Sequence, residues 1–260
     1  NVALEGVNIK GGSKTGGLVG YINNSSTITN SYATGSVTGG SNTGGLVGYA
    51  YNSTEISNSY TTGSVIGTGN NTGGLVGRAE RSSTISNSYA TGSVTGTGGL
   101  STGGLVGWDD GSTVTNSYAT GSVSGGGYTG GLVGNARDSS RISNSYATGS
   151  VTGKDYTGGL VGWAYNSSIT NSYATGSVTG KDYTGGLVGY PRNSTVSNSY
   201  WNIETSGQST SSRGMGRTTT EMKQQASYNN WNFTNTWEII EGKSYPFLKS
   251  NPQTPPPEAN

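Results

Sequence analysis

The side chains able to do acid–base or metal chemistry are few: 13 carboxylates in 260 residues, no histidine and no cysteine. Without cysteine there is no disulfide, thiol nucleophile or thiolate metal site. Without histidine the commonest general base and metal ligand is missing. Asp109 and Asp110 form the one adjacent carboxylate pair, in "GWDDGS". Hydrolysis of a glycosidic bond needs two carboxyl groups held across the bond, and no second group is placed opposite them, so a solvated turn is the simpler reading. "KDYTGG" occurs twice and sets Asp155 and Asp182 one repeat apart, with Lys154 and Lys181 beside them. A cation between the two carboxylates is one reading; screening by the interleaved lysines is the simpler one, and no metal or other cofactor is expected. The Asn-x-Ser/Thr sequences at Asn24, Asn52, Asn166 and Asn193 share one turn position, so turn composition explains them without glycosylation.

Two sets of side chains could act as surfaces. One is a row in which Tyr21, Tyr49, Trp108, Trp163 and Tyr190 alternate with Arg78 and Asn135, running beside Val19, Val47, Val76, Val106, Val133, Val161 and Val188. Aromatic faces along a rigid edge stack on sugar rings or anchor a partner, and contiguous exposed apolar surface marks interaction sites; strand propensity and mutual stacking explain the same residues without a ligand. The other set is the hydroxyl columns Thr34, Thr62, Thr91, Thr120, Thr148, Thr175 and Ser36, Ser64, Ser93, Ser122, Ser150, Ser177. A flat hydroxyl array at strand spacing suits ice, although Ile66 and Ser124 interrupt the neighbouring Thr column.

Both sets belong to a repeat. "GGLVG" places Leu at 18, 46, 75, 105, 132, 160 and 187, at intervals of 27 to 30 residues. A β-branched residue precedes each "NSY" (Ile28, Ile56, Ile85, Val114, Ile142, Ile169, Val196), and a Val follows each "GS" nine residues later, from Val37 to Val178. Three segments of about nine residues per repeat fit one short strand and one turn each. Leu, Ile, Val and Phe total 40 of 260 residues, too few for an ordinary globular core. A narrow core closed by stacked backbone needs fewer, and Gly, Ser, Thr and Asn disfavour helices. The reading is an all-β, three-sided parallel β-solenoid of about seven coils, with the right-handed turn usual for such crossovers.

Strand alternation assigns Ala33, Gly35 and Val37 inward, and Tyr32, Thr34, Ser36 and Thr38 outward. In "GLVGYA" it assigns Leu46, Gly48 and Ala50 inward, and Val47 and Tyr49 outward, since an inward Arg78 beside Asn135 would carry a heavy desolvation cost. Asp109 then falls in the Ala column, and release to solvent at a turn is expected. The Asn at 30, 58, 87, 116, 144, 171 and 198 is expected to bond along the stack as an amide ladder at a corner.

The pattern breaks after Tyr200. Residues 201–250 hold three of the five Trp, both Phe and both Met, with "EMKQQA" as a short capped helix and "WNF", "WEII" and "YPFL" as closing strands. They read as a cap on the last coil, and 251–260 as a proline-rich linker toward a further domain. The first residues, "NVALEGVNIKGG", read as a partial repeat in a fragment of a longer precursor without a signal peptide. A formal charge of +1 without basic clusters argues against nucleic acid. No stretch reaches the length of a membrane span.

"TGGLVG", "NSYATGSV" and the tail "SYWNIETSGQS…TTTEMKQQ…WNFTNTWEIIEGKSYPFL" together resemble the GLUG-repeat family over residues 10 to 248. Such repeats occur in large secreted or surface-attached bacterial proteins, including adhesin-like proteins and some immunoglobulin A peptidases. The resemblance implies an extracellular, non-catalytic adhesive module whose partners are glycans or host and cell-surface proteins. It transfers no catalytic residue, because a chain without histidine holds no H-E-x-x-H zinc motif. An ice-binding solenoid and a polysaccharide-active β-helix enzyme are the alternatives.

Overall fold

The computed structural model describes residues 1–257; the last three residues of the proline-rich stretch lie outside the described residues. Each coil is built from short strands. In the second they are Thr43–Gly44, Val47–Tyr51, Glu55–Ser57, Tyr60–Thr61 and Val65–Gly67. Every strand pairs in parallel with the same segment of the coils before and after it. Three seven-stranded sheets result, with a fourteen-stranded one in which the Tyr-Ala and Val-Thr rows join through Tyr32–Gly39. The molecule is a three-sided parallel β-solenoid of seven coils, as the repeat predicts. Ala3–Lys10 pairs with Tyr32–Gly39, and so enters the stack as part of a coil.

The corners explain the fixed "NSY". Asn30, Asn58, Asn87, Asn116, Asn144, Asn171 and Asn198 all adopt φ of 46–48°, the left-handed region that Asn tolerates better than most side chains. The expected amide ladder is not formed: the Oδ1 atoms of Asn87, Asn116 and Asn171 are buried without a partner. The adjacent serine makes the ladder instead. Each Ser backbone N–H from Ser31 to Ser172 donates to the hydroxyl of the next coil's serine at 3.1–3.2 Å. Each of those hydroxyls donates to the carbonyl two residues earlier at 2.7–2.9 Å. One hydroxyl both accepts and donates, which suits a one-atom rung.

The core follows the assigned parity with two corrections. Leu46, Ala50, Val37 and Ala33 and their equivalents in the inner coils are buried, but so are Val47, Val76, Val106, Val133, Val161 and Val188, each fully so. The valine column is therefore core and not an outer stripe. Val47 and Ala50 both point in because alternation breaks at the glycine between them, and Gly48 and Gly77 drop out of the strand register. The glycines also let two sheets approach to backbone contact. A Cβ on Gly44 would stand 2.6 Å from the Gly77 nitrogen, and one on Gly77 2.6 Å from the Gly48 carbonyl oxygen. The second correction is Asp109, which stays in the strand Val106–Asp110 and is wholly buried in the alanine column, between Ala79 and Ala136.

"TGS" is not a strand after the first coil. Tyr60–Thr61 and Val65–Gly67 are separated by a bend at Thr62-Gly63-Ser64. Glycine is required there, because a Cβ on Gly63 would collide with the Gly35 carbonyl oxygen of the preceding coil.

The C-terminal residues do two things. Trp201 takes the alanine position of the last coil, and Ser211 Oγ accepts from the Leu187 and Val188 N–H groups. Met215–Arg217 pairs with Tyr200–Asn202, extending the stack past its final full coil. The helix Ile203–Ser206 is capped by Asn202, and Thr219–Met222 carries the capping box of Thr218 and Glu221. Trp237–Glu238 and Phe247–Leu248 form a small antiparallel pair, whereas "WNF" forms no strand and leads into a turn. From residue 218 on, the chain folds along the side of the solenoid and not across its end: Met222, Tyr228, Trp231, Trp237, Tyr245 and Leu248 cluster with Tyr118, Tyr146, Tyr173 and Tyr200. No helix among the described residues is long and apolar enough to cross a membrane.

Candidate functional site

The row containing Tyr21, Tyr49, Trp108, Trp163 and Tyr190 faces outward on the sheet of Val47–Tyr51 and its equivalents, in register with Arg78 and Asn135. It does not stand alone. The residues two positions on (Tyr51, Glu80, Asp110, Arg137, Tyr165, Arg192) share its face, as strand alternation requires. The fold adds a third row, Tyr128, Tyr156 and Tyr183, from just before "TGG", where Lys14 occupies the equivalent place in the first coil. The second row was readable by counting in twos. The third was not, because only the folding back of one sheet on the next brings it alongside.

The flank has two halves of different character. Toward the N-terminus, Tyr21, Tyr49, Tyr51, Arg78, Glu80, Arg81 and Asp110 line an open concavity of about 590 Å³. Lys14 Nζ lies 4.3 Å from the centre of the Tyr21 ring and Arg81 5.0 Å from that of Tyr51, both cation–π distances. Glu80 accepts from the Tyr49 hydroxyl and from the Arg78 guanidinium. Burial, and next the bond to Glu80, raise the pKa of Tyr49. Asp110 is also raised, by burial and then by Glu80 in the neighbouring coil. Toward the C-terminus the flank is almost all ring: Tyr128 stacks on Trp163 at 4.8 Å, Tyr156 on Tyr183 at 5.0 Å, and Tyr190 meets Tyr183 edge-on at 5.0 Å.

Exposure ranks these rings. Tyr21 and Tyr183 are open, at 42% and 56%. Trp108 has Arg78 on one side and Arg137 on another, at 5.6 and 5.4 Å, and is half-buried. Between Trp108 and Trp163 lies Asn135, wholly buried, and neither its amide atoms nor the two indole nitrogens have a hydrogen-bond partner.

The hydroxyl columns have no comparable geometry. Thr62, Thr91, Thr120, Thr148 and Thr175 stand at the bends and not on a flat strand, and only Thr34 lies within a continuous one. Thr175 is buried, with its carbonyl accepting from the Thr205 hydroxyl. Asp155 and Asp182 are exposed with Lys154 and Lys181 beside them, and the Lys181–Asp182 pair is 3.9 Å apart. No group of three or more potential metal ligands occurs among the described residues.

The family model described as the GLUG motif matches residues 11–38, 39–66, 68–95, 125–152 and 155–179, together more than half of the chain. This chain belongs to the GLUG-repeat family. The matched units correspond to solenoid coils, and the coils carrying Trp108 and Tyr190 continue the same register outside the matched spans. No curated protein and no solved structure matches the chain. Family and fold together make it a repetitive structural module.

Proposed function

We propose that this GLUG solenoid is a non-catalytic adhesive module of a secreted or cell-surface protein, and that it presents its aromatic–cationic flank to a saccharide or protein ligand. The observation that carries the reading is the concavity at the N-terminal half, where Tyr21, Tyr49 and Tyr51 stand among Arg78, Arg81 and Lys14. The rings and Arg78 are held on paired strands, with Lys14 and Arg81 at the bends beside them, and groups held in place before a ligand arrives lose little freedom on binding. The carboxylates of the flank are committed elsewhere: Glu80 to Tyr49 and Arg78, Asp138 to Arg137. Asp109, the adjacent carboxyl, points into the core on the other side of the strand, so no free carboxyl shares the surface with Asp110 for paired acid and base roles.

The test is a glycan array probed with the intact chain and with Tyr21→Ala, Tyr49→Ala, Trp108→Ala and Trp163→Ala. The expected result is binding to a defined glycan set, weakened about tenfold or more by Tyr21→Ala or Tyr49→Ala. Trp108→Ala and Trp163→Ala report whether the ligand extends along the flank. Glycan binding that all four variants retain in full would place the site elsewhere.

A further inference from the structure

The opposite feature of the repeat, the tyrosine of "NSY", forms a second continuous surface. Tyr32, Tyr60, Tyr89, Tyr118, Tyr146 and Tyr173 stack rung on rung at 4.7–5.0 Å, with planes within 9° of parallel. The C-terminal segment covers one part of this ladder and shows how it is recognised. Trp237 lies 6.1 Å from both Tyr146 and Tyr173, and Trp231 6.2 and 6.0 Å from Tyr173 and Tyr200, so each indole spans two rungs. The hydroxyls bond to the covering chain: Tyr173 donates to the Pro246 carbonyl at 2.6 Å, Tyr146 to Gln253 at 3.3 Å, and Tyr200 accepts from the Asn229 N–H at 3.1 Å. The cover reaches Asn116, whose carbonyl accepts from Asn251. The chain then turns back, with the Pro257 carbonyl accepting from Tyr245.

The ladder continues past that cover with unchanged geometry. Tyr32, Tyr60 and Tyr89 are only half-buried, and while the Tyr32 hydroxyl donates to Glu5, those of Tyr60 and Tyr89 bond no other described residue. We propose that these open rungs are a docking track for a segment of a partner polypeptide that carries an aromatic residue and a proline. That is the chemistry that this chain's own residues 229–257 bring to the covered rungs. The track is continuous with an interface already formed, its rungs have the same spacing, and it offers the same ring faces and hydroxyls. It is rigid before the partner arrives, so ordering falls on one side only. The surface is separate from the aromatic–cationic flank, and either proposal stands without the other.

A fluorescently labelled peptide of residues 229–257, titrated into the intact chain and followed by anisotropy, tests it. Saturable 1:1 binding is expected, weakened about tenfold by Tyr60→Ser or Tyr89→Ser and much less by the Phe variants, which keep the rings. The chain has no cysteine, so Thr62→Cys, exposed two residues beyond Tyr60, takes a bulky maleimide that blocks the track and leaves the ladder intact. Loss of binding on labelling is expected even if the Ser variants fold poorly. No binding up to about 1 mM peptide overturns the proposal. So does binding insensitive to the label and to both rungs, which would mean exchange with the resident segment. Binding of an oligosaccharide but not the peptide at these tyrosines overturns it as well.

Discussion

Asp109 stands where other coils have Ala79, Ala136 and Ala164. Its Oδ1 accepts from the Ser112 N–H at 3.0 Å, but its Oδ2 has no partner, and burial pushes its pKa up from 3.8 to about 7. A carboxyl that holds its proton more tightly folded than unfolded adds no pH-dependent cost well below pH 4, where it is protonated in both states. It destabilises increasingly as pH rises to about 7, because the unfolded chain releases the proton first. Asp109→Ala should therefore raise the thermal midpoint more at pH 8 than at pH 4, the difference in stabilisation between the two being at most about 4 kcal/mol. An equal gain at both pH values, measured by differential scanning calorimetry, would show that the carboxyl is not held in the raised-pKa state. At the same scale, "NSY" divides into three tasks: Asn for the left-handed corner, Ser for the hydrogen-bonded ladder, Tyr for the stack.

At the scale of the strand, glycine sets the separation of the sheets. Gly77 lies against the backbone of Thr43 and Gly48, and nothing there is the movable end of a side chain. Gly77→Ala has to push two sheets apart, and a loss of roughly 1–3 kcal/mol is expected in chemical denaturation. A loss under about 0.5 kcal/mol would mean that the sheets separate freely and that the glycine rows are not what fixes the narrow core. The second glycine of "GGLVG" has a matching explanation. Gly74, Gly104 and Gly131 face the β-carbons of Ala90, Ala119 and Ala147 across the core, with room for one methyl group and not two. Strict alternation places the valine of "GGLVG" outside, but Gly48 interrupts the two-residue period and turns Val47 into the core. The aromatic row kept its outward side for the reason given by Arg78 and Asn135, although Asn135 itself is buried by its neighbours' rings and not exposed.

For the whole molecule, the side-docked C-terminal segment is the part held by a globular-type core. Trp237 is fully buried, stacked on Trp231 at 4.3 Å and set against two rungs of the ladder. Trp237→Ala should cost about 3–5 kcal/mol locally and release residues 218–257 to proteolysis while the coils stay protected, since each coil depends mainly on its neighbours. Mass spectrometry of the limited digest checks this. Simultaneous cleavage in the coils and the tail would show instead that the two unfold as one unit.

The parallel solenoid, its coil number and the leucine and alanine columns were legible in the sequence, and so was a short capped helix near Glu221, although it runs over Thr219–Met222 and ends inside "EMKQQA", where it was expected. They follow from period, parity and capping chemistry, which act between residues close in the chain or one repeat apart. What only the tertiary structure decided is the rest: the buried valines and Asp109, the third row of the aromatic flank, and the course of the tail along the tyrosines. Each depends on how far apart two backbones lie or on which of several exposed faces an aromatic segment covers. A periodic sequence offers the same face seven times over, and packing alone selects the coils on which the tail rests.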